Sequence, residues 1–277
     1  MCELLAMSCQ NPARLTSSLT ALAAHAGGES RNRDGWGLAF YQAHDVALYR
    51  DTTPADASPL LPWLETNGPA TTLSLGYIRH ATQGAINLAN TGPFVRELNG
   101  RMHVFAHNGN LKNLLQRPFV KSGCFQPLGD TDSEMAFCLL LDRIRKLPYA
   151  RGQLPYARGH MASLQARLNT VAEMALALRA LGPASFLYAD GDVLFSHADR
   201  RLQPGAGQVT GPALYRLECP AGDKAALVHD SESAQTITAQ RVILLASVPL
   251  SHEAWTPMQE GEVIAIRQGE IIATIQL

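Results

Sequence analysis

The sequence predicts an α+β fold dominated by antiparallel sheets. Segments with the composition of β-strands are spread along the whole chain, whereas long stretches of helical periodicity appear in three segments. Turn sequences such as Asp190-Gly191 and Gln268-Gly269 join neighbouring strand-like segments, which is typical of antiparallel hairpins. Strands that follow one another with few helices between them favour antiparallel sheets over a doubly wound parallel sheet.

The elements can be assigned in chain order from hydrophobic periodicity. Strands are expected at residues 37–41, 46–50, 72–79, 102–107, 184–189, 193–197, 213–218, 242–247, 263–267 and 271–275. Helices are expected at residues 11–26, 132–146 and 161–181. No linker rich in Pro, Gly or Ser separates two halves, so we expect residues 1–277 to form a single domain.

The composition excludes several classes of function. The 277 residues are 46% hydrophobic and 17% charged, with a net charge of −1. We therefore expect no nucleic-acid or membrane partner, because no overall field attracts polyanions and no segment approaches the ~20 apolar residues of a membrane span. Five unevenly spaced cysteines and no signal peptide predict free thiols in a reducing cytoplasm.

Cys2 is the first candidate for catalysis. Removal of Met1 places a thiol and a free α-amine on one residue, and an amine whose ordinary pKa is near ~8 can accept the thiol proton. The alternative is that Cys2 is an apolar residue that opens a buried first strand. Its position alone favours this alternative, so the catalytic interpretation depends on other segments.

Two strand exits carry polar groups suited to a substrate. Arg79 follows a strand, where a guanidinium can clamp a carboxylate, although a surface arginine is the commoner outcome. Asn108 and Gly109 close another strand, and an amide beside a glycine N–H is a suitable pair of oxyanion donors. An Asn-Gly hairpin is the weaker interpretation, because residues 111–115 look helical.

Asp132 begins a predicted helix and has two interpretations. Thr131 and Glu134 fit a capping box, in which Asp132 complements the helix dipole. Alternatively, Asp132 faces the ammonium group of a ligand. The segment alone favours the structural interpretation.

The histidines do not predict a metal site. His103 and His107 lie on one strand, where positions four apart are separated by roughly 13 Å at ~3.3 Å per residue. Neither a Cys-x-x-Cys nor a His-Glu-x-x-His motif is present. We expect no metal and no cofactor.

Five segments together resemble the glutaminase domain of class II glutamine amidotransferases, which belong to the N-terminal nucleophile hydrolases. In chain order they are Met1-Cys2, Asp34-Gly-Trp-Gly37, Arg79-His-Ala-Thr82, His107-Asn-Gly109 and Thr131-Asp-Ser-Glu134. The opening Met-Cys-Glu-Leu-Leu and the C-terminal Ala-Ser-Val-Pro-Leu resemble the small stand-alone YafJ-like members. Each motif is weak alone, and their shared order along the chain carries the resemblance.

The resemblance implies a fold and a reaction. The fold is a four-layer αββα sandwich of two antiparallel sheets, in agreement with the α+β prediction. The reaction is hydrolysis of the side-chain amide of glutamine or of a γ-glutamyl amide, with Cys2 as nucleophile and a thioester as intermediate. Asn108 and the Gly109 N–H would hold the oxyanion.

The resemblance also implies a clamp for the amino-acid head group. Arg79, helped by Thr82, would bind the α-carboxylate, and Asp132 would bind the α-ammonium. Two positions depart from the family pattern: Gln83 stands where many members carry His, and Gly92 stands where many carry the His of His-Pro-Phe.

The sequence leaves the fate of the ammonia open. Biosynthetic members pass ammonia to a second domain or subunit, and no residues are expected to remain here for an acceptor domain. Either a separate partner protein receives the ammonia or the chain is a plain hydrolase. The main alternative is a non-catalytic module that binds a glutamine-like ligand; an acylase for another amide is disfavoured, because Arg79 and Asp132 suit a free amino-acid head group.

Overall fold

The computed structural model describes residues 2–15, 17–24, 32–116, 123–148, 161–202, 208–220, 228–230 and 240–277. These ranges contain sixteen strands and four α-helices. The strands are β1 (Glu3–Leu15), β2 (Trp36–Gln42), β3 (Asp45–Asp51), β4 (Thr71–Ile78), β5 (Phe94–Leu98), β6 (Arg101–Gly109), β7 (Ala184–Ala189), β8 (Leu194–His197), β9 (Arg201–Leu202), β10 (Val209–Thr210), β11 (Tyr215–Cys219), β12 (Val228–Asp230), β13 (Val242–Ala246), β14 (Thr256–Pro257), β15 (Glu262–Arg267) and β16 (Glu270–Gln276).

The helices are α1 (Ser17–Ala24), α2 (Leu60–Asn67), α3 (Asp132–Ile144) and α4 (Leu164–Arg179). Short 3-10 turns lie at Ala55–Ala57, Leu88–Asn90 and Leu114–Gln116. Within the described ranges, none of the helices has the length and apolar character needed to cross a bilayer.

The strands form two large antiparallel sheets. Sheet A has the order β14-β11-β13-β1-β4-β2-β3, and β12 also pairs with β1. Sheet B has the order β16-β15-β8-β7-β6-β5. β9 and β10 form a separate two-stranded ribbon.

Three apolar cores define four layers. The inner faces of the two sheets meet in a core that includes Leu75 and Val104. Helices α3 and α4 cover the outer face of sheet B, where Phe105 and Phe137 are buried. Helices α1 and α2 cover the outer face of sheet A around Leu38. The predicted α+β fold, a four-layer αββα sandwich, is therefore confirmed.

The turns explain the strand pairing. The predicted hairpins at Gly191 and at Gln268-Gly269 join β7 to β8 and β15 to β16, with φ of +81° at Gly191 and of +50° and +72° at the second turn. A third, Asn99-Gly100, joins β5 to β6 with φ of +57° and +79°. Two consecutive positive φ angles give the turn that best matches the twist of a hairpin, which is why Asn-Gly occurs there.

One predicted helix is wrong over its first part. Residues 11–15 continue β1, and α1 begins only at Ser17. The backbone of this segment pairs with sheet neighbours instead: Ala13 lies opposite both Thr71 of β4 and Asp230 of β12. The apolar positions Ala13 and Leu15 suit either element, so long-range pairing decided the outcome. The other two predicted helices and all ten predicted strands are present.

We expect Phe105→Ala to lower the free energy of unfolding by about 3–5 kcal/mol. Phe105 is fully buried and stacks on Phe137 with ring centroids 5.4 Å apart, so truncation opens a cavity between sheet B and α3. Chemical denaturation measures the change. Leu176→Ala, on the exposed side of α4, is the control and should stay within about 0.5 kcal/mol of the parent protein. Equal stability of the two variants would contradict the proposed layer contact.

Candidate active site

The start of β1 and the end of β4 lie side by side at one end of sheet A. Glu3 is paired with Ile78, so Cys2 lies beside the residues that leave β4. Side chains alternate between the two faces of a strand, and Cys2 and Tyr77 both belong to the core between the sheets. The fold therefore brings Cys2 next to the segment that begins with Arg79.

Cys2 is held by two polar partners. Its Sγ lies 2.9 Å from the Tyr77 hydroxyl, and the His80 N–H donates to the same sulfur at 3.3 Å. Only 7% of Cys2 is exposed. The alternative interpretation, a buried residue opening the first strand, is correct about burial. The catalytic role of Cys2 stays a prediction.

Burial raises the pKa of the Cys2 thiol, and the hydrogen bonds from His80 and Tyr77 oppose that rise. Burial also raises the pKa of Tyr77 well above its usual range; the neighbouring Cys2 adds to the rise, Arg79 opposes it and Asp132 adds to it. Both groups are therefore protonated at neutral pH. Attack by Cys2 requires a nearby group that accepts the thiol proton.

Asn108 occupies the inner face of sheet B, near the end of β6. Its neighbours two and four residues earlier, Ala106 and Val104, belong to the core between the sheets, and Asn108 is completely buried. Within the described residues, neither Oδ1 nor Nδ2 of Asn108 has a hydrogen-bond partner. Leaving a buried polar group unpaired costs about 1–3 kcal/mol. Such a group is suited to a ligand atom.

Gly109 ends β6 in a space that admits no side chain. A Cβ there would lie 1.9 Å from the carbonyl oxygen of Pro183 and 2.6 Å from Nε2 of His107. Glycine at this position therefore has a steric cause that is independent of any oxyanion role. The Asn-Gly pair is not a hairpin turn, because β6 pairs with β5 and β7 and the chain continues into the 3-10 turn at Leu114–Gln116.

Asp132 is the first residue of α3 and is buried. Its Oδ2 accepts a hydrogen bond from the Leu111 N–H at 2.7 Å, so it fixes the backbone just after β6. The capping box is half formed: the Thr131 hydroxyl accepts from the Glu134 N–H, but the Glu134 carboxylate accepts from the Gly129 N–H. Asp132 thus links α3 to the Asn108-Gly109 segment.

Arg79 is not the surface arginine considered as its alternative, since only 2% of it is exposed. Its guanidinium donates to three successive backbone carbonyls of the following loop: Gln83 at 3.1 Å, Gly84 at 3.3 Å and Ala85 at 2.9 Å. In this structure Arg79 therefore organises the loop. Its role as a carboxylate clamp stays a prediction.

Gln83 connects the loop after β4 to the loop after β6. Its Nε2 donates to Oδ1 of Asn110 at 3.1 Å, and Thr82 beside it is exposed. The segments that carry Cys2, Arg79, Asn108 and Asp132 thus meet at one end of the sandwich. Among the described residues, Cys2 has no direct hydrogen bond to the other three, so the connections run through Tyr77, Gln83 and the loop backbones.

The second departure from the family pattern, Gly92, also adjoins the site. A Cβ at position 92 would lie 3.1 Å from the ring of Tyr77, closer than an ordinary van der Waals contact. A larger side chain would press on the ring whose hydroxyl contacts Cys2. The absence of a side chain at Gly92 therefore leaves room for the ring of Tyr77.

Asp34 and Tyr77 are site residues to which the sequence assigned no role. Oδ2 of Asp34 accepts from the Ala81 N–H at 2.7 Å, and the Asp34 N–H donates to the Arg79 carbonyl at 3.2 Å. Asp34 therefore fixes the loop beside Cys2. Tyr77 could have been predicted as a site residue, because residues two positions apart on a strand lie on the same face of the sheet and Tyr77 precedes Arg79 by two.

The described residues contain no group of three or more His, Cys, Asp or Glu side chains arranged to hold a metal ion. The Nδ1 of His103 lies 2.7 Å from the Tyr188 hydroxyl, and that of His107 lies 2.9 Å from the Ser133 hydroxyl. Burial lowers the pKa of His103 to about 4, so its ring is neutral at physiological pH. The absence of a metal stays a prediction.

Comparison with known proteins identifies the family. The family model for class II glutamine amidotransferases matches residues 1–277. The chain belongs to the class II glutamine amidotransferases. It is 32% identical to YafJ of Escherichia coli (strain K12), a provisionally assigned glutamine amidotransferase, over 95% of this chain and 96% of YafJ. A protein of the same provisional assignment from Haemophilus influenzae is 30% identical over 99% of this chain and 87% of its own length.

Solved structures agree with the family. A predicted glutamine amidotransferase from Pseudomonas aeruginosa PA01 is 29% identical with a TM-score of 0.66, covering 98% of this chain and 99% of its own. The glutamine phosphoribosylpyrophosphate amidotransferase of Bacillus subtilis is 16% identical with a TM-score of 0.60. This chain covers 49% of the Bacillus protein, and at 16% identity that likeness concerns the fold alone.

We expect Tyr77→Phe to raise the pKa of the Cys2 thiol further. The hydroxyl 2.9 Å from Sγ stabilises the thiolate, and its removal leaves the His80 N–H as the remaining donor described at that sulfur. The pH dependence of Cys2 alkylation, followed by peptide mass spectrometry, should therefore shift its midpoint upward.

Tyr41→Phe is the matched control for this experiment. Tyr41 is also buried, and its hydroxyl donates to the carbonyls of Met102 and Ala189. It should leave the midpoint for Cys2 unchanged. A midpoint that is the same in Tyr77→Phe and the parent protein would show that the hydroxyl does not act on the sulfur.

Proposed function

We propose that this protein hydrolyses the side-chain amide of glutamine or of a γ-glutamyl amide, with Cys2 as nucleophile after removal of Met1. The observation that carries the proposal is the fully buried Asn108, whose amide has no described partner and which lies on the inner face of sheet B at the end of the sandwich where Cys2 lies. An unpaired buried donor at the same end of the sandwich as a thiol is suited to an oxyanion that forms during acyl transfer. Met1 lies outside the described residues.

The reaction proceeds in two steps. The α-amine of Cys2 accepts the thiol proton, and the sulfur attacks the amide carbonyl, whose oxygen becomes an oxyanion held by Asn108 and the Gly109 N–H. The tetrahedral intermediate collapses with loss of ammonia from glutamine, or of the amine from a substituted γ-glutamyl amide, and the leaving group takes the proton from the α-amine. Water then attacks the thioester, releasing the γ-carboxylate and restoring the thiol. An amine with a pKa near ~8 suits both proton transfers.

Arg79, Thr82 and Asp132 are proposed to bind the amino-acid head group. Arg79 carries the positive charge for an α-carboxylate, and Asp132 the negative charge for an α-ammonium. In the described conformation Arg79 donates to the carbonyls of residues 83–85, and Asp132 accepts from Leu111. Substrate binding would share or replace these hydrogen bonds, so the loop from Gln83 to Ala85 would respond to the ligand.

The proposal extends to location and partners. A single domain in the cytoplasm, without nucleic-acid or membrane partners, remains our expectation. Two destinations for the ammonia are open, namely water and a partner protein that uses it. A non-catalytic module that binds a glutamine-like ligand is the alternative function, since Arg79 already has loop carbonyls as partners.

We expect the processed protein to release glutamate from at least one γ-glutamyl amide, and Cys2→Ala to abolish this release. Intact-mass measurement establishes whether Met1 is gone, because a chain that retains Met1 has no α-amine on Cys2. A glutamine-mimicking diazoketone should add one label at Cys2, and glutamine should block it. Glutamine binding without labelling of the processed chain would favour the non-catalytic module.

We expect Asn108→Ala to lower kcat by about 10²–10³-fold, or about 2.7–4 kcal/mol in the activation barrier, because an oxyanion donor is lost. KM should change little, since the oxyanion forms only in the transition state. Asn169→Ala, at an exposed position of α4, is the control. A kcat of Asn108→Ala within a few-fold of the parent protein would remove Asn108 from the mechanism.

A further inference from the structure

A buried ion pair lies behind Cys2. The two oxygens of Glu3 accept from both Nη atoms of Arg201, at 2.7 Å and 3.0 Å, and Nδ2 of Asn32 donates to the same carboxylate at 3.2 Å. The side chains of Arg201 and Glu3 are only 3% and 5% exposed. Because consecutive side chains alternate, Glu3 faces away from the inner core that contains Cys2.

The ion pair belongs to a closed set of contacts around the next residue. The Leu4 N–H donates to the Ser247 hydroxyl at 2.9 Å, and the Ser247 N–H donates to the Leu4 carbonyl at 3.0 Å. Nη1 of Arg201 donates to the Ser247 carbonyl at 2.9 Å. Residues 3 and 4 are thus held by side chains and backbone from positions about 200 and 240 further along the chain.

A terminal nucleophile needs such a fixation. Chain ends fray unless they are tied down, and a processed chain has no residue before Cys2 to hold it in the sheet. Arg201 lies in β9, which pairs only with β10 among the described strands, and its side chain reaches from this ribbon to Glu3 of β1. A buried ion pair contributes little net stability compared with apolar residues, so its value lies in the position that it specifies.

We propose that Arg201 is a positioning residue, which through Glu3 holds the thiol and the α-amine of Cys2 in register with the oxyanion donors. This inference rests on the proposed function. Two separable consequences follow. The ion pair keeps the first residues of β1 in the sheet with Cys2 buried, and turnover requires Cys2 to be held in this position.

The test is the double variant Glu3→Gln/Arg201→Met. Removing both charges avoids a lone buried ion, which would be strongly destabilising and would prevent a clear interpretation. We expect the rate of Cys2 alkylation by iodoacetamide to rise several-fold, because the thiol is freed from burial. We expect kcat for glutamate release to fall by about 10²-fold with little change in KM, because a displacement of about 1 Å is enough for such a loss. The alkylation rate of Cys2 is thus expected to rise while kcat falls.

Peptide mapping provides the internal control. Cys9 and Cys138 are also buried, and their alkylation should not change, whereas general unfolding would expose all three thiols. Arg167→Met/Asp190→Asn, which removes another buried ion pair, should leave Cys2 alkylation and kcat unchanged. Arg201→Lys keeps the charge but not the two-point geometry, so its kcat should lie between the parent and the double variant.

The outcomes separate this proposal from the proposed function. Unchanged Cys2 alkylation in the folded double variant overturns the positioning role, whether or not the parent protein releases glutamate. Accelerated alkylation combined with an undiminished kcat also overturns it, because turnover would then not require Cys2 to be held in its buried position. If the parent protein releases no glutamate from any γ-glutamyl amide, the proposed function fails, and accelerated alkylation still supports the hold of Arg201 on the start of β1.

Discussion

The candidate site depends on the pairing of β1 within sheet A. This strand lies between β4 and β13, so its backbone groups are bonded on both sides, and Glu3 and Leu5 are fixed opposite Ile78 and Ala246. A shift by one residue would turn Cys2 from the inner face to the outer face of the sheet. The contacts of Cys2 with Tyr77 and His80 exist only in the observed register.

Much of the fold follows from local sequence. Alternating residues and turn sequences with Gly or Asn predicted every long strand of sheet B except β5, and the Asn99-Gly100 turn before β6 carried the signal for that one as well. The structure of residues 11–15 was not predicted correctly, because their local sequence suits a helix and a strand equally well. Pairing with β12, more than 200 residues away, decided its structure, and no local pattern records such a contact.

For the candidate site, the sequence identified the residues but not the contacts that they make. Motif order brought Cys2, Arg79, Asn108 and Asp132 to attention, and the topology places their segments at one end of the sandwich. The motifs did not predict the hydrogen bonds that these residues make in the fold. Arg79 donates to carbonyls of the following loop, and Asp132 accepts from the backbone after β6. Tyr77, which contacts Cys2, and Arg201, which binds Glu3, are distant from the start of the chain and lie outside the motifs.

Asn108 shows how a site of this kind affects the protein that contains it. A buried amide without a partner is a point of local frustration, since an apolar residue of similar size would satisfy the inner core better. A chain selected only for stability would be expected to lose Asn108. Its presence at the end of the inner core means that stability and the proposed ligand recognition oppose each other there. A ligand oxygen in contact with this amide would make the folded state more stable than it is alone.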